Sequence, residues 1–243
     1  MLTLLKKEFW SFFSSITGYV VISVFLLANS LFLWVFPGNL NIMEAGYASL
    51  DSLFTIAPWV FLFLVPALTM RMFSEEKKTG TIELLLTRPL TEMEIVLSKF
   101  FASVLLVLFA LIPSLIWYLS VYYLASPVGN MDTGATWGSF IGLFFLACIY
   151  AAAGLFASAI TENQIIAFLL GLIISFFLYT GFESIASLPF LSNVENFIIY
   201  LGINEHYQSI SRGVIDTRDI FYFSGLAALF LFSTQLYLQS RKW

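Results

Sequence analysis

Residues 71–99 read Arg71-Met-Phe-Ser-Glu-Glu-Lys-Lys-Thr-Gly-Thr-Ile-Glu-Leu-Leu-Leu-Thr-Arg-Pro-Leu-Thr-Glu-Met-Glu-Ile-Val-Leu-Ser-Lys99. This stretch is the longest polar interruption between the apolar runs of the chain, and it holds five of the eleven lysines and arginines. Lys77 and Lys78 stand where cations favour a helix C-terminus, and Gly80 is a suitable left-handed cap after them. Further on, Thr91-Glu-Met-Glu94 matches a capping box, which predicts the start of another helix that continues into an apolar span.

A short helix is predicted between these two signals, over residues 81–87. Its residues Ile82, Leu85 and Leu86 are spaced to form one apolar face. Pro89 ends this helix because a proline disfavours the helical conformation of the residue before it. The stretch therefore predicts a rigid knob, held between two spans and presented outside the lipid.

The composition indicates an integral membrane protein. The chain has 243 residues, of which 60% are hydrophobic and 11% charged, with a mean hydropathy of +0.91. A soluble domain carries roughly 25% charged residues. Because about 20 apolar residues cross a bilayer as one helix, the charge-free runs predict the spans. We expect an all-α protein with a single transmembrane domain, residues 1–243, and six spans at about 16–36, 53–70, 100–123, 137–160, 165–182 and 220–238.

Residues 1–15 precede the first span and have a helical pattern of their own. Leu2, Leu5 and Phe9 are spaced on one face, with Lys6 and Lys7 between them. This pattern is typical of an amphipathic helix that lies at the lipid headgroups. The alternative is that these residues simply begin the first span.

The segment of residues 183–219, between the fifth and sixth spans, is too apolar for a free loop. Asn193 and Asn204 could each cap a short helix, and Asp216 could cap the last span. The apolar residues of the segment are Phe197, Ile198, Leu201, Tyr207 and Ile210. We expect short helices that lie on or dip into the outer face of the bundle, and a plain extracellular loop is the alternative.

The positions of Lys and Arg predict the orientation of the chain, whereas its net charge of −4 does not. If the N-terminus is cytoplasmic, the inner segments hold nine of these eleven residues and the outer segments hold Arg212 and Arg218. We therefore expect both termini, and residues 71–99, to lie in the cytoplasm.

The chain shows no sequence sign of its own catalytic chemistry. None of its fourteen glycines is followed by lysine, so it lacks the phosphate-binding loop of an ATPase. His206 is the only histidine, which excludes a helical pair of histidines for zinc. The predicted spans contain no ionisable residue, unlike those of ion-coupled carriers. We expect no catalytic residue, metal, cofactor or nucleic-acid partner, and we interpret the chain as a passive helical gate that is powered from elsewhere.

The fourth span is the richest in small residues, which recur every three to five positions. The members of this stripe are Gly134, Gly138, Gly142, Ala147, Ala151 and Gly154. Small residues let helix backbones approach closely in a membrane. The stripe favours packing within one subunit, with a seam between two subunits as the alternative.

The polar stretch resembles the cytoplasmic loop of six-span ABC exporter permeases of the type-2 class. The residues that carry this resemblance are Phe73-Ser-Glu-Glu-Lys-Lys-Thr-Gly-Thr-Ile-Glu-Leu-Leu-Leu-Thr-Arg-Pro-Leu90, Ile95-Val-Leu-Ser-Lys99 and His206-Tyr-Gln-Ser-Ile-Ser-Arg-Gly-Val-Ile-Asp-Thr-Arg-Asp219. The chain is further similar to the permeases of gliding-motility-associated ABC transporters, the GldF group, in Gly18-Tyr-Val-Val-Ile22, Phe32-Leu-Trp-Val-Phe36, Ala57-Pro-Trp-Val-Phe-Leu-Phe63 and Asn163-Gln-Ile-Ile-Ala167.

The resemblance implies a multi-pass permease subunit of the bacterial inner membrane that binds a separate ATPase. It implies a GldA-like ATPase and, as a second membrane subunit, either a GldG-like protein or another copy of the chain. In this class the loop after the second span holds the coupling helix, which corresponds here to Thr81, Ile82, Glu83, Leu84, Leu85, Leu86, Thr87, Arg88 and Pro89. The residues that would flank the ATPase surface are Arg71, Glu75, Glu76 and Gly80.

We expect closure of the ATPase dimer to push on residues 81–89 and to rock spans one, two and five against a second subunit. Leu84 to Leu86 would seat in a hydrophobic cleft of the ATPase, and Glu83 and Arg88 would fix the register through charge pairs. Two alternatives are a membrane scaffold that moves no solute and a channel that works without an ATPase.

Overall fold

The structure is a computed structural model, and it describes residues 1–86, 89–191 and 194–240, apart from the side chains of Leu84, Leu86 and Phe190. The described residues form helices and connections, with no strand among them. This part of the chain contains six helices that are long and apolar enough to cross a membrane: Ile16–Val35, Asp51–Lys78, Glu92–Leu124, Thr133–Ile160, Gln164–Ala186 and Thr217–Ser240. The prediction of an all-α protein with six candidate spans is confirmed.

The first, second and fifth of these spans are each assembled from shorter helical segments, whereas the other three are single helices. In chain order the α-helices are α1 (Leu2–Ser14), α2 (Ile16–Ser30), α3 (Asp51–Thr69), α4 (Arg71–Lys78), α5 (Thr81–Leu86), α6 (Glu92–Leu124), α7 (Thr133–Ile160), α8 (Gln164–Phe176), α9 (Phe182–Ala186), α10 (Glu195–Ile199), α11 (Ile203–Ser211) and α12 (Thr217–Ser240). A π-helical turn, Leu31–Val35, extends α2, and another, Phe177–Gly181, joins α8 to α9. A short 3-10 turn covers Pro189–Leu191.

Helix α7 is the centre of the bundle. It packs against α3, α8, α11 and α12, and 72% of its most apolar segment is buried. The corresponding figure is 22% for the fifth and sixth spans, so those two spans lie at the periphery. Small residues explain the central position of α7, since fully buried Ala151, Ala152 and Ala153 let neighbouring helices approach it.

Helix α1 is separate from the first span. Ser15 breaks the helix with an extended backbone, and its hydroxyl donates to the Phe12 carbonyl at 3.1 Å. Helix α1 packs against α6 and α2 through buried residues that include Leu4 and Phe12, whereas Trp10 is exposed. The first span therefore begins at Ile16, and α1 is a separate helix that precedes it.

The α5 end is the end of the bundle where α5 lies. It also contains α1, α4, the α7–α8 turn and the end of α12. Ser98 at the start of α6 donates to the Met1 carbonyl, and Tyr237 of α12 donates to the carbonyl of Ile160, the last residue of α7. The opposite end, which carries α10 and α11, is called the α11 end.

Helix α11 packs into the bundle rather than forming a free loop. Ile203, Tyr207 and Ile210 are buried on one face, and the Tyr207 hydroxyl donates to the Phe54 carbonyl of α3 at 2.9 Å. In contrast, α10 has no buried residue, and its Phe197 is 68% exposed. The apolar residues of this segment are thus divided between a buried helix and an exposed one.

The predicted caps of this segment are only partly correct. Helix α11 starts at Ile203, so Asn204 lies inside it and does not cap it; its side-chain amide donates instead to Glu183 Oε1 at 2.6 Å. Asp216 accepts a hydrogen bond from the Arg218 N–H at the start of α12, as a cap does. Asn193 lies outside the described residues, as do Arg241 and Lys242 of the C-terminus.

Candidate functional site

The candidate functional site comprises α4, α5 and the turn between them, at the α5 end of the bundle. Helix α3 ends at Thr69 and α4 starts at Arg71, so the backbone near Met70 needs hydrogen-bond partners. Ser158 of α7 supplies them. Its hydroxyl donates to the Met70 carbonyl at 2.8 Å and accepts from the N–H groups of Phe73 and Ser74 at 3.0 and 3.1 Å. This buried serine fixes the start of α4 to the central helix.

The other end of α4 is fixed by a buried lysine. Lys77 is 7% exposed, and its ammonium group donates to the Ala159 carbonyl near the end of α7. The same ammonium group lies 4.7 Å from the centre of the Tyr237 ring, which is a cation–π contact with α12. Helix α4 is therefore held against the ends of two spans.

A third attachment joins α4 to α6 and α1. The ammonium group of Lys99 in α6 lies 2.8 Å from Glu76 Oε1 of α4 and 3.4 Å from Glu8 Oε1 of α1. Sequence reasoning missed the roles of Lys77, Lys99 and Ser158. Lys99 stands directly before the charge-free run of the third span, and a lysine so close to an apolar run is the signal that could have pointed to it.

The turn between α4 and α5 has the conformation that the sequence predicts. Gly80 has φ +72°, in the left-handed region, and its N–H donates to the Lys77 carbonyl at 3.1 Å. Any residue with a Cβ is strained there, which explains the glycine. Beyond α5 the capping box is also confirmed, since Thr91 Oγ1 accepts from the Glu94 N–H and Glu94 Oε2 accepts from the Thr91 N–H.

Helix α5 has an inner and an outer face. Ile82 and Leu85 are half-buried and pack on the hydrophobic core of this chain. Thr81 and Glu83 are exposed, and so is Pro89 beyond the helix. Thr87 and Arg88 lie outside the described residues, and only the backbone of Leu84 and Leu86 is described. Two residues of the predicted apolar face, Ile82 and Leu85, thus attach α5 to the bundle of its own chain.

The four residues that the resemblance places beside an ATPase surface differ in their surroundings. Arg71 donates to Thr17 Oγ1 of α2 at 2.5 Å, and Glu75 is exposed. Glu76 turns towards Lys99, and its side chain is only 18% exposed. Of these two neighbouring glutamates, only Glu75 is therefore exposed on the surface of α4.

The small-residue stripe of α7 contacts helices of the same chain. A Cβ at Gly138 would lie 2.4 Å from the Ile210 carbonyl oxygen and 2.9 Å from the Gly213 Cα, so α11 crosses α7 there. A Cβ at Gly154 would meet Thr69 of α3, while Gly171 of α8 packs against Gly154 itself. Elsewhere on the stripe, Gly134 faces Gly213, Gly142 faces Tyr207, and Ala147 and Ala151 are buried.

Comparison with known proteins identifies the family of this chain. The family model described as ABC-2 family transporter protein matches residues 40–238, and the chain therefore belongs to this family. No curated protein matches the chain. The family membership and the six apolar helices make the chain a multi-pass membrane subunit of an ABC transporter, and they imply an ABC ATPase as its partner.

Proposed function

We propose that this permease subunit receives mechanical force from a separate ATPase at α5 and passes it into its spans. Residues 81–89, which include α5, act as the coupling element, with Thr81 and Glu83 exposed on α5. Closure of the ATPase dimer pushes this element and rocks spans one, two and five against a second membrane subunit. The permease itself hydrolyses no ATP, since its sequence lacks a phosphate-binding loop.

One observation carries this proposal, namely the rigid mounting of α4. Its start is bonded to Ser158 of α7, and its end to Ala159 through Lys77. The turn to α5 is set by the left-handed Gly80, so α5 projects from a helix that is fixed to the core. A helix mounted in this way can transmit a push, whereas a loose loop would absorb it.

The test reverses the charges of the proposed contact. The double variant Glu83→Lys/Arg88→Glu should insert normally but abolish permease-stimulated ATP hydrolysis, because both charge pairs with the ATPase become repulsive. Glu195→Lys is the matched control, since Glu195 also lies in the first turn of a short helix, at the α11 end. Stimulation at the wild-type level in the double variant, measured with the ATPase that copurifies from native membranes, would refute the assignment.

We further propose that the chain serves a gliding-related ABC transporter of the bacterial inner membrane, with both termini in the cytoplasm. The support is the similarity of residues 18–22, 32–36, 57–63 and 163–167 to the GldF group. A GldA-like ATPase and a GldG-like membrane protein are then the expected partners, and a second copy of the chain is the alternative. Mass spectrometry of the complex purified from native membranes identifies these partners directly.

A second candidate function is a force-transmitting scaffold that moves no solute. It is favoured by the position of the buried charged residues, since within the described parts of the chain these are Glu8, Lys77 and Lys99 near the α5 end and Asp219 near the α11 end. The predicted spans also hold no Asp, Glu, Lys or Arg on their exposed faces, so the middle of the bundle offers no charge to a polar path. A structure of the dimer decides between the two functions, because a transporter requires a continuous polar path between its subunits.

A further inference from the structure

A buried ion cluster lies where α1, α4 and α6 meet at the α5 end. The side chain of Lys99 is 1% exposed, and those of its partners Glu8 and Glu76 are 11% and 18% exposed. Removing an ammonium group from water is unfavourable unless the protein replaces its hydrogen bonds and its counter-charge. A cluster this deeply buried therefore depends on the fit between the three helices.

The ammonium group of Lys99 has three N–H donors, and three acceptors surround it. They are Glu76 Oε1 at 2.8 Å, the Met72 carbonyl at 2.7 Å and Glu8 Oε1 at 3.4 Å. The first two acceptors belong to α4 and the third belongs to α1. One side chain of α6 thus holds two other helices at once.

Neighbouring contacts reinforce the same junction. Ser98, next to Lys99, donates to the Met1 carbonyl at 3.2 Å, so α6 also holds the start of α1. The Lys99 ammonium group lies 5.1 Å from the centre of the Phe73 ring, which adds a cation–π contact with α4. Both contacts act between the helices that the ion cluster joins.

We propose that Lys99 is a positioning residue that makes α1, α4 and the adjoining end of α6 move as one unit when force enters at α5. This inference rests on the proposed function, because it concerns the path that the force takes after it reaches α4. Hydrophobic contacts between helices are non-directional, so they fix the relative position of two helices less sharply than hydrogen bonds do. Hydrogen bonds to a single ammonium group are lost beyond about 3.5 Å, so the cluster resists such sliding.

The charges of the cluster predict the effect of removing the lysine. Glu8 and Glu76 share the Lys99 cation, and Glu8 Oε1 also lies 3.5 Å from the ammonium group of Lys7, whose side chain is 66% exposed. Glu76 Oε2 is buried without a partner among the residues that the structure describes. In Lys99→Met the two carboxylates lose the buried cation between them, and the exposed Lys7 compensates Glu8 only weakly, so their repulsion separates α1 from α4. In Glu8→Gln the Lys99–Glu76 pair stays balanced, so this milder variant loosens α1 alone and preserves the fold.

The first experiment measures the junction in the full chain alone, reconstituted in lipid nanodiscs. Spin labels are attached at Lys6→Cys on α1 and Lys78→Cys on α4, both exposed positions, in a Cys148→Ser background. We expect one narrow distance distribution in the otherwise unmodified chain and in the control Glu75→Gln. We expect a broad distribution in Lys99→Met and Glu8→Gln. A narrow distribution in all four proteins overturns the proposal.

The second experiment uses the complex with its copurified ATPase, with and without ATP. The distance between the two labels should stay constant on ATP addition when Lys99 is present, and it should become ATP-dependent in Lys99→Met. An ATP-dependent distance with Lys99 present shows that α1 does not follow α4 and overturns the inference. If no ATPase copurifies, the proposed function fails, while the nanodisc distances still decide whether Lys99 joins the helices.

Discussion

Ser158 shows how a single side chain stabilises a break in a membrane helix. The N–H groups in the first turn of a helix have no partner within that helix. At the start of α4 two of them, from Phe73 and Ser74, are buried and donate to Ser158 Oγ, which in turn donates to the Met70 carbonyl. The serine therefore acts as an N-cap that is supplied by another helix, in a place that water does not reach.

We predict that Ser158→Ala destabilises the protein by about 1–3 kcal/mol, the usual cost of leaving buried hydrogen-bonding groups unpaired. The measurement is the unfolding midpoint of the chain in detergent, followed by tryptophan fluorescence. Ser224→Ala is the matched control, because Ser224 is exposed on α12 and bonds only within its own helix. Equal midpoints for the two variants would show that the three bonds of Ser158 contribute nothing to stability.

At the scale of the element, the docking of α11 on α7 depends on two glycines. Gly138 of α7 and Gly213 after α11 approach so closely that a Cβ on either would overlap backbone atoms of the other segment. Gly213 also has φ +85°, which only glycine adopts without strain. Backbone atoms cannot turn aside as a flexible side chain can, so α11 must move if either glycine is replaced.

We predict that Gly138→Ala displaces α11 and destabilises the protein by about 1–3 kcal/mol, the typical cost of overpacking. The control is Gly225→Ala in α12, where no heavy atom lies within 4 Å of the added Cβ. That variant should stabilise its helix by about 0.5–1 kcal/mol, because alanine is a better helix former than glycine. Denaturant unfolding in detergent measures both. A Gly138→Ala variant as stable as the wild type would mean that the two backbones do not meet closely.

These elements also show what the sequence could predict. The Gly80 turn, the Thr91–Glu94 box and the charge-free spans were predictable, because each depends on residues close together in the chain. The mispredicted cap at Asn204 and the missed role of Lys99 involve partners 21 to 91 residues away. Local patterns contain no information on such pairs. The capping of α4 from Ser158 could not be predicted for the same reason.

At the scale of the whole molecule, the spans differ in how much of their surface this chain covers. The fourth span is the most buried, whereas the first, fifth and sixth are 28%, 22% and 22% buried in their most apolar segments. Peripheral spans leave apolar surface for lipid or for another membrane subunit. The proposed rocking motion assigns two of these three, spans one and five, to the moving surface.

The proposed function requires one orientation of the molecule in the membrane, with α5 on the cytoplasmic side. The α5 end carries most of the described lysines and arginines, among them Lys6, Lys7 and Lys78, whereas Arg212 and Arg218 lie near the α11 end. Because positive segments stay in the cytoplasm, α5 should face the cytoplasm.

This orientation can be measured with single cysteines in a Cys148→Ser background. In sealed right-side-out vesicles a membrane-impermeant maleimide should label Glu195→Cys at once and Glu83→Cys only after permeabilisation. Both glutamates are exposed and lie in the first turns of short helices, so their intrinsic accessibility is matched. The reverse labelling pattern would put α5 outside the cell, where no cytoplasmic ATPase can reach it, and the coupling role would then be excluded whatever the family of the chain.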